Sequence, residues 1–216
     1  MMAPRRWVPI ALLIMILALL FAGCARTPKF SALPTGSVVL AFGDSVTFGT
    51  GAATGEDYPS QLADISGWTI HNRGVPGDTA ETAKTRIQSA VEELRPVLVI
   101  VEIGGNDFLR RRPEAEIKEN IRSILRHVRQ AGIPAVLVTT PRFSLIGAAV
   151  GSLPDAALYA ELAKEEGVPL IPDVFAAVLS DPALKSDSIH PNAVGYRRLA
   201  EGIASGLVKV GLLARH

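Results

Sequence analysis

Val97-Leu98-Val99-Ile100-Val101-Glu102-Ile103-Gly104-Gly105-Asn106-Asp107 is the stretch on which the reading of this chain turns. Five β-branched or branched apolar residues run without a break, then the chain reaches paired glycines and two short polar residues. A continuous apolar run of this length suits a strand buried on both faces, as parallel sheets require. Ala135-Val136-Leu137-Val138 repeats the pattern, and Val38-Val39-Leu40-Ala41-Phe42 opens it. Trp68-Thr69-Ile70-His71 and Val168-Pro169-Leu170-Ile171 are weaker strand candidates.

Helical patterns lie between these runs. Thr79 to Leu94 puts Ala83, Ile87, Ala90, Val91 and Leu94 on one face, with Asp78 expected as the cap and Glu81 completing a capping box. Glu114 to Ala131 does the same with Ile117, Ile121, Ile124, Leu125 and Val128, with Pro113 suited to its first turn and Gly132 to its stop. Asp155 to Glu166 and Ala193 to Val208 complete the set. Strands alternating with helices over short links predict an α/β protein, a parallel sheet with helices on both faces. Ligands of such sheets sit beyond the C-terminal ends of the strands.

Chemistry-bearing residues gather at those ends. Gly43-Asp44-Ser45 follows the first strand, and Ser45 there presents a hydroxyl near free backbone N–H groups. Asn106, after the strongest strand, can offer its side-chain amide to a developing oxyanion, and Gly74 its bare backbone N–H. Asp187-Ser188-Ile189-His190-Pro191 precedes the last helix, and an Asp three residues before a His can orient its ring. An oriented imidazole can take the proton of a serine hydroxyl, which makes these the parts of a nucleophilic hydrolase. Of the four histidines, His127 falls within a helix, His71 at a strand end and His216 at the terminus, so His190 is the candidate base. Asp44 is expected to brace its turn.

The 216 residues suggest one domain after a leader. Arg5 and Arg6, the apolar run Ile10 to Phe21, and the small pair Ala22-Gly23 read as a signal peptide over 1–23. Cys24 is the only cysteine, which excludes an intrachain disulfide. Phe21-Ala22-Gly23-Cys24 resembles a bacterial lipobox, with Phe where Leu is usual, and implies lipidation of Cys24. Residues 24–36 then form the lipidation site and a spacer, and 37–216 the hydrolase domain. The expected location is the cell envelope, with Ala25 favouring the outer membrane if the source has two. The formal charge is +1, and removing Arg5 and Arg6 with the leader makes it −1. That balance, with no basic stretch interleaved with aromatics, argues against nucleic acid. The Arg110-Arg111-Arg112 cluster is expected to be a solvated loop.

Phe42-Gly43-Asp44-Ser45, Val101 to Asp107 and Ile189-His190-Pro191-Asn192 together resemble the SGNH hydrolases, also called the GDSL esterase/lipase family. The likeness spans about Ser37 to Leu207 and is strongest to the branch of multifunctional thioesterases, arylesterases and lysophospholipases. Val46 stands where Leu is common. The resemblance implies a three-layer α/β/α sandwich around a mainly parallel five-stranded sheet. It also implies a serine esterase that acts through an acyl-enzyme without metal or cofactor, on a small-molecule acyl ester, as a monomer. Ser45 would be the nucleophile, His190 the base, Asp187 its orienting acid, and Ser45, Gly74 and Asn106 the oxyanion hole. An apolar loop with Phe143, Leu145, Ile146 and Val150 would overhang the site and favour acyl chains. Two other readings share the residues: a carbohydrate O-deacetylase, and a non-catalytic envelope-binding lipoprotein.

Overall fold

The computed structural model describes residues 30–142 and 153–215. The signal segment, Cys24 and the apolar residues Phe143 to Val150 lie outside the described residues. Five strands form one all-parallel sheet: β1 (Val38–Gly43), β2 (Thr69–Gly74), β3 (Leu98–Glu102), β4 (Ala135–Val138) and β5 (Leu170–Ile171), in the spatial order β2-β1-β3-β4-β5. The order reverses at β1, so the crevice beyond β1 and β3 is where such a sheet binds its ligand.

The helices among the described residues are α1 (Ser45–Phe48), α2 (Tyr58–Ser66), α3 (Ala80–Lys84), α4 (Ile87–Leu94), α5 (Gly105–Leu109), α6 (Glu114–Gln130), α7 (Ala157–Glu166), α8 (Val174–Ser180) and α9 (Ala193–Val210). Side chains alternate across the pleat of β1. Val39 and Ala41 join one core with α2, α8 and α9, through Leu62, Phe175, Tyr196, Leu199 and Ile203. Leu40 and Phe42 join the other with α3, α4, α6 and α7, through Ala83, Ile87, Ile121 and Tyr159. Both cores are fully dry at these positions, which makes three layers around a doubly covered sheet. The expected α/β/α sandwich is present, with every strand pair parallel.

Three local expectations change. The single helix expected over Thr79–Leu94 is two, α3 and α4, because Thr85 and Arg86 close a tight turn on the carbonyls of Thr82 and Ala83. The cap of α3 is Thr79, not Asp78. Its hydroxyl accepts from the Thr82 N–H while the Thr82 hydroxyl accepts from the Thr79 N–H, so Thr82 rather than Glu81 completes the capping box. Asp78 instead accepts from Thr82 and Arg86. Arg110 and Arg111 are exposed as expected, but Arg112 pairs with Glu81 and Arg110 donates to the carbonyl of Gly77.

From Phe30 onward the chain lies against the domain. Phe30 and Leu33 pack on the first core, the Leu33 N–H donates to Leu212, and the Gly36 N–H to Gly67.

Candidate active site

β1 delivers Ser45 directly. Asp44 caps the one-turn α1, its Oδ1 accepting from the Val46 N–H at 3.0 Å, so Ser45 begins the helix with its hydroxyl at the sheet edge. The turn needs Gly43, because a Cβ there would stand 2.1 Å from both the Glu102 carbonyl and the Thr47 hydroxyl.

His190 reaches Ser45 from the segment before α9. Asn192 caps α9 through the Gly195 N–H and holds the carbonyls of Ala183 and Lys185 with its amide. An antiparallel bridge between Lys185 and Pro191 closes the segment, and the Ser186 N–H donates to the His190 carbonyl at 3.0 Å. Within that loop Asp187 Oδ1 accepts from the backbone N–H groups of Ile189 and His190, both at 2.8 Å. Its other oxygen meets His190 Nδ1 at 2.7 Å, and His190 Nε2 meets Ser45 Oγ at 2.9 Å. A proton on Nδ1 donated to the carboxylate leaves Nε2 bare to accept from the serine hydroxyl. Burial pushes the Asp187 carboxyl up, but the imidazole and the two backbone donors outweigh it and hold its pKa below the usual value. Asp187 therefore stays ionised where an imidazole titrates.

Asn106 comes from α5, which starts at the paired glycines. Gly104 has φ +123°, and a Cβ would stand 2.4 Å from the Tyr159 hydroxyl, so only glycine fits. The Asn106 amide donates to the Asp78 carbonyl at 2.9 Å and approaches Asp44 Oδ2 at 3.4 Å. Asp44, Ser45, Val46, Asn106, Leu109, Phe175, Ile189 and His190 share one cavity wall with Gly105. Val46, Leu109, Phe175 and Ile189 are the apolar part of that lining.

Ser45, Asp187, His190 and Asn106 thus come together. Gly74 does not join the cavity wall. Its N–H donates to Asn72 Oδ1 at 2.9 Å, and the residue is glycine because a Cβ would stand 2.1 Å from the Phe48 nitrogen of α1. Gly77 has φ +84°, and its peptide adjoins Asp78, the residue that holds Asn106. His71 lies on edge strand β2 and His127 in α6, neither at the cavity.

Two buried acids were not assigned roles from sequence. Glu102 is wholly buried at the end of β3 and accepts from the hydroxyls of Thr47 and Thr140 at 3.1 and 3.3 Å. Burial, then the neighbouring Asp44, push its pKa well up. A lone Glu inside an apolar two-face strand was the available signal. Asp107 is also buried and accepts from the Ala80 N–H at 2.8 Å, tying α5 to the start of α3. Burial also lifts Asp44 to about 7.

The model of the GDSL-like Lipase/Acylhydrolase family matches residues 41–198. The chain belongs to this family. The thioesterase 1/protease 1/lysophospholipase L1 of Escherichia coli K12 is 30% identical over 172 residues, covering 78% of this chain and 82% of that protein. Esterase TesA of Pseudomonas aeruginosa is 26% identical over 199 residues, covering 86% and 95%. Among solved structures, AlinE4, an SGNH-hydrolase family esterase, is 31% identical with a TM-score of 0.62, covering 82% of this chain and 98% of that one. The SGNH fold is therefore this chain's fold, and the chain is an SGNH/GDSL-type esterase or acylhydrolase.

Proposed function

We propose that this GDSL-family chain is a serine esterase of acyl esters, with Ser45 as nucleophile, His190 as general base and Asp187 as its orienting acid. The observation that carries the proposal is the unbroken hydrogen-bond relay from Ser45 Oγ through His190 to Asp187, at 2.9 and 2.7 Å. Ser45 Oγ attacks the acyl carbonyl as its proton passes to His190 Nε2. The tetrahedral oxyanion is held by the Ser45 N–H and by one N–H of the Asn106 amide, which exchanges its long 3.4 Å contact with Asp44 for the oxyanion while the other stays on the Asp78 carbonyl. His190 then protonates the leaving alcohol or thiol, the carbonyl reforms, and an acyl-serine remains. Water adds by the same route and releases the acid. Gly77 suits the third oxyanion donor better than Gly74, because the Gly74 N–H is taken by Asn72.

The apolar wall of Val46, Leu109, Phe175 and Ile189 supports an acyl chain over a sugar as the bound group. Thioesters and lysophospholipids fall within the same chemistry, and the names of the E. coli relative support them. The carbohydrate O-deacetylase is the second enzyme reading. Export, lipidation of Cys24 and an envelope location complete the proposal, on the strength of the leader and the Phe21–Cys24 segment, and a monomeric state is carried over from the family resemblance alone.

The test is hydrolysis of p-nitrophenyl esters from acetyl to palmitoyl by the detergent-solubilised full chain, with Ser45→Ala beside it. Activity peaking at medium or long chains and absent in the variant supports the acyl esterase. Activity confined to acetyl favours the deacetylase. Activity surviving in Ser45→Ala removes the nucleophile assignment.

A further inference from the structure

Arg86 does not line the Ser45 cavity, yet it touches the strand that leads to Ser45, the end region of β2 and the residue that holds Asn106. Its Nη2 donates to the Gly43 carbonyl at 2.7 Å, its Nη1 to the Arg73 carbonyl at 2.8 Å, and its Nε to Asp78 Oδ2 at 2.6 Å. The guanidinium carbon sits 4.1 Å from the centre of the Phe42 ring. All three nitrogens of the fork and one of its faces are thus used. Gly43 lies two residues before the nucleophile, Arg73 is the last residue but one of β2, and the carbonyl of Asp78 receives the Asn106 amide. Arg86 sits at the break between α3 and α4, three residues after buried Ala83 and four before buried Ala90, on the face turned to the sheet.

We infer that Arg86 is a positioning residue that fixes the spacing between the Ser45 nucleophile and the Asn106 oxyanion donor, by bridging the Gly43 backbone to Asp78. The inference rests on the esterase reading above. Only a guanidinium fits the geometry. It offers five donors in one plane, whereas an ammonium is a compact group with three diverging donors and cannot span all three acceptors. Oxyanion stabilisation depends on donors being preset, and a misplacement of about 1 Å costs about 10²-fold in rate. Losing the tie therefore acts on turnover and not on substrate capture, because the apolar wall that receives the acyl group is formed elsewhere in the cavity.

Arg86 also borders an open groove with Asn72, Arg73, Val75, Ser89 and Glu93, on the outer side of the edge strand. Guanidinium from solution can reach the place that Arg86→Ala would vacate.

The test measures kcat and KM of the full chain and of Arg86→Ala and Arg86→Lys on the best p-nitrophenyl ester, with and without about 50 mM guanidinium chloride and with matched NaCl. The expected result is a fall in kcat of about 10–100-fold in both variants with KM within about threefold, and partial recovery of kcat in Arg86→Ala by guanidinium alone. Wild-type kcat in Arg86→Lys overturns the inference. So does a loss without rescue that only matches a lowered folded fraction, since that marks a fold tie and nothing more. If Arg86→Ala does not fold, the kcat-to-KM split of Arg86→Lys decides. A folded wild type inactive on every ester fails the esterase reading instead, and the side-chain amide resonance of Asn106 then reports the tie. A shift of that resonance in Arg86→Lys sustains the positioning, and an unmoved one overturns it.

Discussion

The Ser45 hydroxyl and the His190 imidazole lie 2.9 Å apart across 145 residues of chain. They meet because β1 and the loop before α9 both end at the same edge of the sheet. Asp187, half exposed, completes the relay from within the histidine's own loop.

Asp187→Asn keeps the size of the side chain and removes its charge. The Nδ1 proton then loses its acceptor preference, and the imidazole can present the wrong tautomer to Ser45. Turnover should fall by about 10³–10⁴-fold with the melting temperature almost unchanged. Steady-state kinetics beside a thermal melt checks this, and wild-type turnover would mean that another group orients His190.

Asn106→Ala removes the proposed oxyanion donor. The expected loss is about 10²–10³ in kcat, equivalent to about 2.7–4 kcal/mol, with little change in KM. The same change leaves the Asp78 carbonyl without its partner. A variant within twofold of wild type would take Asn106 out of the site.

Asp44 gives a pH dependence. Burial lifts its carboxyl from 3.8 to about 7, against the N–H of Val46 and the charge of His190, which lower it; Asp107 and Asp78 raise it further, and Glu102 faces it from β3. The folded protein therefore keeps a proton that the unfolded chain releases. The stability this contributes is full below about pH 4 and is lost as pH rises through about 7, on the order of 4 kcal/mol across the window. Asp44→Asn cannot ionise, so urea unfolding at pH 5 and pH 8 should show a smaller loss in the variant than in the wild type. Equal losses would show that Asp44 is ionised throughout.

Gly43→Ala tests the packing beneath the nucleophile. The new methyl would meet the Glu102 carbonyl, which is fixed by the register of β1 with β3, and the Thr47 hydroxyl that bonds Glu102. Overpacking of this kind costs about 1–3 kcal/mol. A chemical-denaturation midpoint equal to wild type would show that the turn has room to yield.

The strands were legible in proportion to their burial. β1, β3 and β4 carry unbroken apolar runs because helices cover both faces. β2 is an edge strand with His71, Asn72 and Arg73 in it, so its pattern faded and its end at Gly74 was missed. β5 has only two residues, too few for any period. The α3–α4 break was hidden because Ala83, Ile87, Ala90 and Val91 continue one apolar face across it. The capping box moved by one residue from Asp78 to Thr79, since both residues suit a cap and only the backbone path chooses between them.

The amino-acid sequence by itself determined the layered α/β architecture and the family, and it singled out Ser45, Asn106, Asp187 and His190 as the candidate site. Local pattern carries that information: a hydrophobic period follows from burial, and a short motif from the turn that holds it. Only the tertiary structure decided that the Gly74 N–H is already engaged, that Glu102 and Asp44 share a buried space, and that Arg86 joins Gly43, Arg73 and Asp78. Those relations depend on distances between segments far apart in the chain, and such distances exist only once the two cores have packed.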